Sequence, residues 1–163
     1  MMGEGNGSHL ISMDMVQYTI LIAEKVGRIS RAWIELIHMD MNTIAFFEKM
    51  PDALPLYETI RRMIRAEFEN VTVRVQKTQI SFSNRYNFAF VSLPVRRVKG
   101  YTSVYVILTF GTGSRVEHPR IFQSTEPYPG RWTHHVVIQK AEEVDAQVKA
   151  WIAEAYHFSD HKR

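Results

Sequence analysis

The stretch Val71-Thr72-Val73-Arg74-Val75-Gln76-Lys77-Thr78-Gln79-Ile80-Ser81-Phe82 decides the fold. Its valines alternate with Thr72, Arg74 and Gln76, the period of two that marks a half-buried strand. If the alternation runs on, Lys77, Gln79 and Ser81 fall on the face of the valines. If a bulge intervenes, Ile80 and Phe82 take that face instead. Beyond it, Asn84-Arg85-Tyr86-Asn87 has turn chemistry. Phe88 to Val95, Ser103 to Phe110, a short Ile121 to Thr125 and Arg131 to Gln139 read as further strands. Gly100, Gly111-Thr112-Gly113-Ser114 and Pro127-Tyr128-Pro129-Gly130 punctuate them.

Helical patterns flank this block. Met13 to Met39 carries Ile22, Val26, Ile29, Trp33 and Leu36/Ile37 at spacings of three and four, with Gly27 as a possible divide. Asn42 can cap a short helix bearing Ile44, Phe46 and Phe47. Asp52 can cap the next, with Pro55 in its first turn and Tyr57, Ile60, Ile64 and Phe68 as its apolar stripe. Arg61, Arg62 and Arg65 lie off that stripe and are expected in solvent. Asn70 ends it. A C-terminal helix starts near Ala141, with Glu142 and Glu143 favouring its N-terminus and Val144, Val148, Trp151, Ile152 and Ala155 facing the core. Hairpin-length links exclude a parallel sheet, which needs long crossovers. The expected fold is α+β: an antiparallel sheet of four to five strands with N-terminal and C-terminal helices packed on one face. The expected divisions are a disordered lead (1–8), an N-terminal helical extension (9–41), one α+β domain (42–158) and a frayed tail (159–163).

Charge is distributed unevenly. Val71 to Lys140 holds ten basic residues against Glu117 and Glu126, a balance of +8 in a chain whose net charge is +3. A local field of that sign favours an anionic partner. The chain has no cysteine, which removes disulfides, thiolate metal sites and a cysteine nucleophile, and it fits a reducing cytoplasm. No apolar run reaches the eighteen or so residues of a membrane span, and no secretory signal is evident.

Several pieces, Leu56-Tyr57, Lys77-Thr78-Gln79-Ile80-Ser81-Phe82, Pro119-Arg120-Ile121 and Glu126-Pro127-Tyr128-Pro129-Gly130-Arg131-Trp132-Thr133-His134-His135, resemble a bacterial domain-of-unknown-function family, number 5655. The resemblance runs from about Phe46 to Phe158 and implies no established activity. More distantly the family looks like small frataxin-like, iron-chaperone-like α+β domains. That likeness implies helices at both ends of the sheet. It implies no iron function, because frataxin-like iron binding uses an acidic ridge and this segment is basic.

The candidate residues follow from charge and strand parity. His134 and His135 are neighbours on a strand and must face opposite sides. His134 shares a face with Trp132, Val136 and Ile138 and reads as the core histidine. His135 is the candidate for a site wall or, in an enzyme, a general base. Lys77, Gln79 and Ser81 are either one wall of a pocket or a solvent-facing half-strand. Arg120 and Arg131 offer forks for phosphate or carboxylate, or one of them pairs with Glu126. Tyr128 offers a stacking face, and Arg96-Arg97-Val98-Lys99 is a basic turn able to touch a phosphate backbone. Metal-ligand spacing, a phosphate-binding glycine loop and a nucleophile elbow are all missing.

The leading expectation is a binding module without cofactor or metal. Its wall would be Lys77, Gln79, Arg120, Tyr128, Arg131 and His135, and its ligand nucleic acid or a phosphorylated small molecule. One alternative is a small hydrolase or nuclease with His135 as base and Lys77 or Arg131 stabilising an oxyanion, its discriminator being whether His135 and Lys77 meet within a water's reach across the sheet. Another is a structural domain that dimerises through the N-terminal helices.

Overall fold

The computed structural model describes residues 41–161 except Thr102. The readings made above for residues 1–40 lie outside the described residues. Of the described residues, 42–161 belong to one compact unit. It opens with α1 (Met41–Phe46), a 3-10 turn (Pro51–Ala53) and α2 (Leu54–Glu67). Six strands follow: β1 (Thr72–Val75), β2 (Ile80–Ser83), β3 (Asn87–Ser92), β4 (Val106–Thr112), β5 (Ile121–Tyr128) and β6 (Arg131–Ile138). A second 3-10 turn (Ala141–Glu143) leads into α3 (Ala146–Asp160). All pairings are antiparallel, in the order β1-β2-β3-β4-β6-β5.

The sheet has six strands, not the four to five expected, because Val71 to Phe82 is a hairpin rather than one strand. Val73 pairs with Phe82 and Val75 with Ile80. The reversal is closed by the Gln76 N–H donating to the Gln79 carbonyl at 2.9 Å. Ile80 and Phe82 do share the valines' face, but a turn puts them there, not a bulge. At the other hairpin, Gly130 takes φ of +70°, a conformation that suits glycine, and its N–H donates to the Glu126 carboxylate at 2.9 Å.

One face of the sheet carries the core. Register places Ile80, Phe82, Ala89, Val91, Leu108, Phe110, Val136 and Ile138 on it. Tyr57, Ile60 and Ile64 of α2 and Val148, Trp151, Ile152 and Ala155 of α3 pack against that face. The Trp151 ring stacks on Phe110 at 5.5 Å, and Phe68 on Tyr156 at 4.7 Å. Burial pushes the Tyr57 phenol up to about 12, with neighbouring Glu58 adding to the shift.

Three local readings change. Ala53, not Asp52, occupies the N-cap of α2. Arg61 is not solvated: its guanidinium grips the Glu58 carboxylate at 3.0–3.2 Å, and Glu58 is buried. The expected tail is partly structural, since α3 runs to Asp160, and buried Ser159 donates to Asn84 Oδ1 at 2.7 Å. Asp145 caps α3, accepting from the Val148 N–H at 3.0 Å.

Phe82 is fully buried while Val95 is 95% exposed. Phe82→Ala is expected to lower the free energy of unfolding by about 3–5 kcal/mol. Val95→Ala should change it by less than about 0.5 kcal/mol. Urea denaturation curves measure both.

Candidate functional site

The face turned away from α2 and α3 holds the candidate site. Register sets Ser81, Phe90, Thr109, His135 and Gln123 in one row across five strands. A groove of about 750 Å³ lies along this row. Its floor is Phe90, Ile107, Thr109, Thr133 and His135. Thr78 and Gln79 stand at one end, Phe122 and Gln123 at the other, and the β3–β4 loop overhangs it with Leu93, Val95, Arg96 and Val98. Among the described residues no carboxylate lines it, and Arg96 is the charged side chain that does. The volume is within the range of ligand sites, about 300–1,000 Å³.

Strand parity separates the two histidines as expected. His135 faces the groove, with Nδ1 2.8 Å from Thr109 Oγ1 and its ring 6.0 Å from that of Phe122. Burial lowers its pKa, and the adjacent His134 lowers it further, which favours a neutral hydrogen-bonding ring. His134 is fully buried on the helix side. Its Nε2 lies 2.9 Å from Thr112 Oγ1 and its Nδ1 2.9 Å from Ser124 Oγ. Its pKa is also lowered, mainly by burial, with the Ser114 carbonyl opposing the shift.

The six residues expected to form one wall are dispersed. Gln79 and His135 line the groove. Tyr128 and Arg131 line an adjoining cleft of about 300 Å³ together with Tyr86, Trp132 and Phe158. Phe90 and Thr133 line both depressions. Lys77 is exposed at the tip of the β1–β2 hairpin and lines neither. Arg120 belongs to the scaffold: it donates to Asp145 Oδ2 at 2.8 Å and to the Glu143 carbonyl at 2.6 Å, and sits over the Trp151 ring. The pairing of His135 with Lys77 required for a hydrolase does not form. β2 and β6 are three strand spacings apart, about 14 Å, with β3 and β4 between them.

Sequence reasoning missed Phe90 and Phe122. Phe88-Ala89-Phe90-Val91 is apolar on both faces, so period alone could not orient Phe90. Phe122 sits where the β5–β6 register shifts, which breaks parity there. Arg96, read as part of a basic turn, is the cation that reaches the groove. Among the described residues no three His, Asp or Glu side chains converge as metal ligands, and no helix is long and apolar enough to cross a membrane.

The fold and groove define an α+β domain with helices on one sheet face and a cation-rimmed depression on the other. The chain belongs to the DUF5655 family, a domain of unknown function, whose model matches residues 45–159. No curated protein and no solved structure matches the chain, and the distant frataxin-like likeness therefore carries no argument.

The lowered pKa of both histidines has a consequence for stability. In the unfolded chain they bind protons near pH 6.5; in the folded domain they resist protonation to lower pH. Their contribution is therefore complete above about pH 6.5 and is lost as pH falls through the folded values. Urea midpoints should decline from pH 7.5 to pH 5. In His135→Gln the decline should shrink without vanishing, because His134 remains. A flat profile would contradict the burial of both rings.

Proposed function

We propose that the domain binds single-stranded nucleic acid along the groove and the adjoining cleft, with a nucleotide as the minimal ligand. The observation that carries this reading is that Phe90 and Thr133 line both depressions, with aromatic side chains along both and no carboxylate among the described residues lining either. Phe122 and Tyr128 are 38% and 66% exposed, as stacking faces must be. Single-strand binders combine such faces with cations that follow the backbone, and a sheet face bearing aromatics is one established way to splay bases. Arg96 at the groove rim and Arg131 in the cleft are the cations of this path. The neutral His135, Gln79 and Gln123 supply hydrogen bonds to base edges.

Fluorescence anisotropy with a labelled single-stranded oligonucleotide tests this. Affinity should fall steeply between 50 and 200 mM salt, with a log–log slope of about −0.7 per phosphate contacted. Phe122→Ala should weaken binding about tenfold, within the range of about 1–3 kcal/mol for a lost stack. Arg96→Ala should reduce the salt slope, and Lys77→Ala, outside both depressions, should leave affinity within about twofold. Absence of binding at low salt, or binding indifferent to Phe122, would overturn the reading.

A further inference from the structure

Ser124 and His134 face each other across β5 and β6 on the helix side of the sheet, away from the groove floor. Ser124 Oγ lies 2.9 Å from His134 Nδ1. Thr112 Oγ1 donates to the Ser114 carbonyl at 2.6 Å, so it has only lone pairs left for His134 Nε2, 2.9 Å away. The hydrogen-bond network therefore assigns the imidazole proton to Nε2. The Val116 N–H also points at Nε2, at 3.4 Å, a longer contact than that of Thr112. Nδ1 is then an acceptor for the Ser124 hydroxyl, which is the arrangement of a serine beside its general base.

The two partners differ in access. His134 is fully buried, its ring 5.2 Å from that of Phe110 and stacked 6.4 Å from that of Trp132. Ser124 is half-buried on the edge strand of the sheet and lines a polar pocket of about 220 Å³ with Arg115, Val116, Glu117, His118 and Gln123. A shielded neutral base behind a reachable hydroxyl is what nucleophilic attack requires. Arg115 lines the same pocket, paired with Glu117 at 3.8 Å, and is the cation available there to a developing oxyanion.

We propose that Ser124 is a nucleophile activated by His134, and that the pocket in front of it receives the acyl group of a small ester. In the acylation step, Ser124 Oγ forms a bond to the acyl carbon, and the bond from that carbon to the ester oxygen breaks. The Ser124 proton passes to His134 Nδ1 and from there to the departing alcohol. Water then attacks the acyl-serine by the reverse proton path, releasing the acid and restoring Ser124. The Ser114 carbonyl favours the imidazolium formed in between, against the larger opposing effect of burial.

The test uses the full chain with p-nitrophenyl acetate and with a fluorophosphonate probe. A burst of p-nitrophenolate approaching one equivalent per chain is expected, as is a fluorophosphonate adduct that peptide mass spectrometry locates on Ser124. The urea-unfolded chain should give no adduct. Ser124→Ala, checked for an unchanged thermal transition, should lose the burst at least tenfold. Ser124→Cys should be alkylated by iodoacetamide faster in the folded than in the unfolded state. A folded native chain that forms no adduct on Ser124, or a burst that survives Ser124→Ala, would overturn the proposal and leave the serine as a hydrogen-bond partner of a core histidine.

Discussion

The indole of Trp151 lies nearly parallel to the ring of Phe110, 12° between planes and 5.5 Å between centroids. This contact seats α3 on the middle of the sheet, and with the α2 stripe it decides which sheet face is dry. The dry face then dictates the chemistry of every strand. Residues in step with Phe110 must be apolar or fully hydrogen-bonded, and His134 meets that demand with an oxygen on each ring nitrogen. Residues out of step are released from it. Thr109, Thr133 and His135 can then assemble into a polar groove floor in the middle strands.

Helices on one face also explain how basic residues concentrate without destabilising the core. Arg120 is absorbed by the α3 entry, where Asp145 serves as both helix cap and ion partner. The Arg120 contacts and the Val148 N–H together hold the Asp145 carboxyl below the ordinary carboxylate range, the backbone bond most of all. Other cations of the segment, such as Lys77, Arg96, Arg97 and Lys99, lie in turns and the β3–β4 loop, where water solvates them. The excess of +8 is thus a property of the sheet's periphery. Arg96, Arg131 and Arg115 are where it meets concave surfaces.

Much of the architecture was legible in the sequence, for physical reasons. Tyr57, Ile60 and Ile64 recur at helical spacing and are buried where that spacing places them. Strand parity correctly divided His134 from His135. The β1–β2 hairpin was not legible, because Gln76-Lys77-Thr78-Gln79 contains no glycine, proline, asparagine or aspartate. Its geometry comes from one backbone bond and the pairing of Val75 with Ile80. The candidate site was legible only in part. Gln79 and His135 share the groove, but the fate of Arg120 depended on Asp145, 25 residues away, a contact that local pattern cannot supply. Phe90 and Phe122 were hidden by a doubly apolar strand and a register shift.

Two histidines adjacent in the chain have different surroundings: one ring lines the groove, the other is sealed beneath the helices. Imidazole resonances followed by NMR while a single-stranded oligonucleotide is added test this directly. The account predicts that the His135 signals move saturably, in step with binding, while those of His134 stay in place. Movement of His134 with His135 unchanged, or binding that leaves both rings undisturbed, would contradict it.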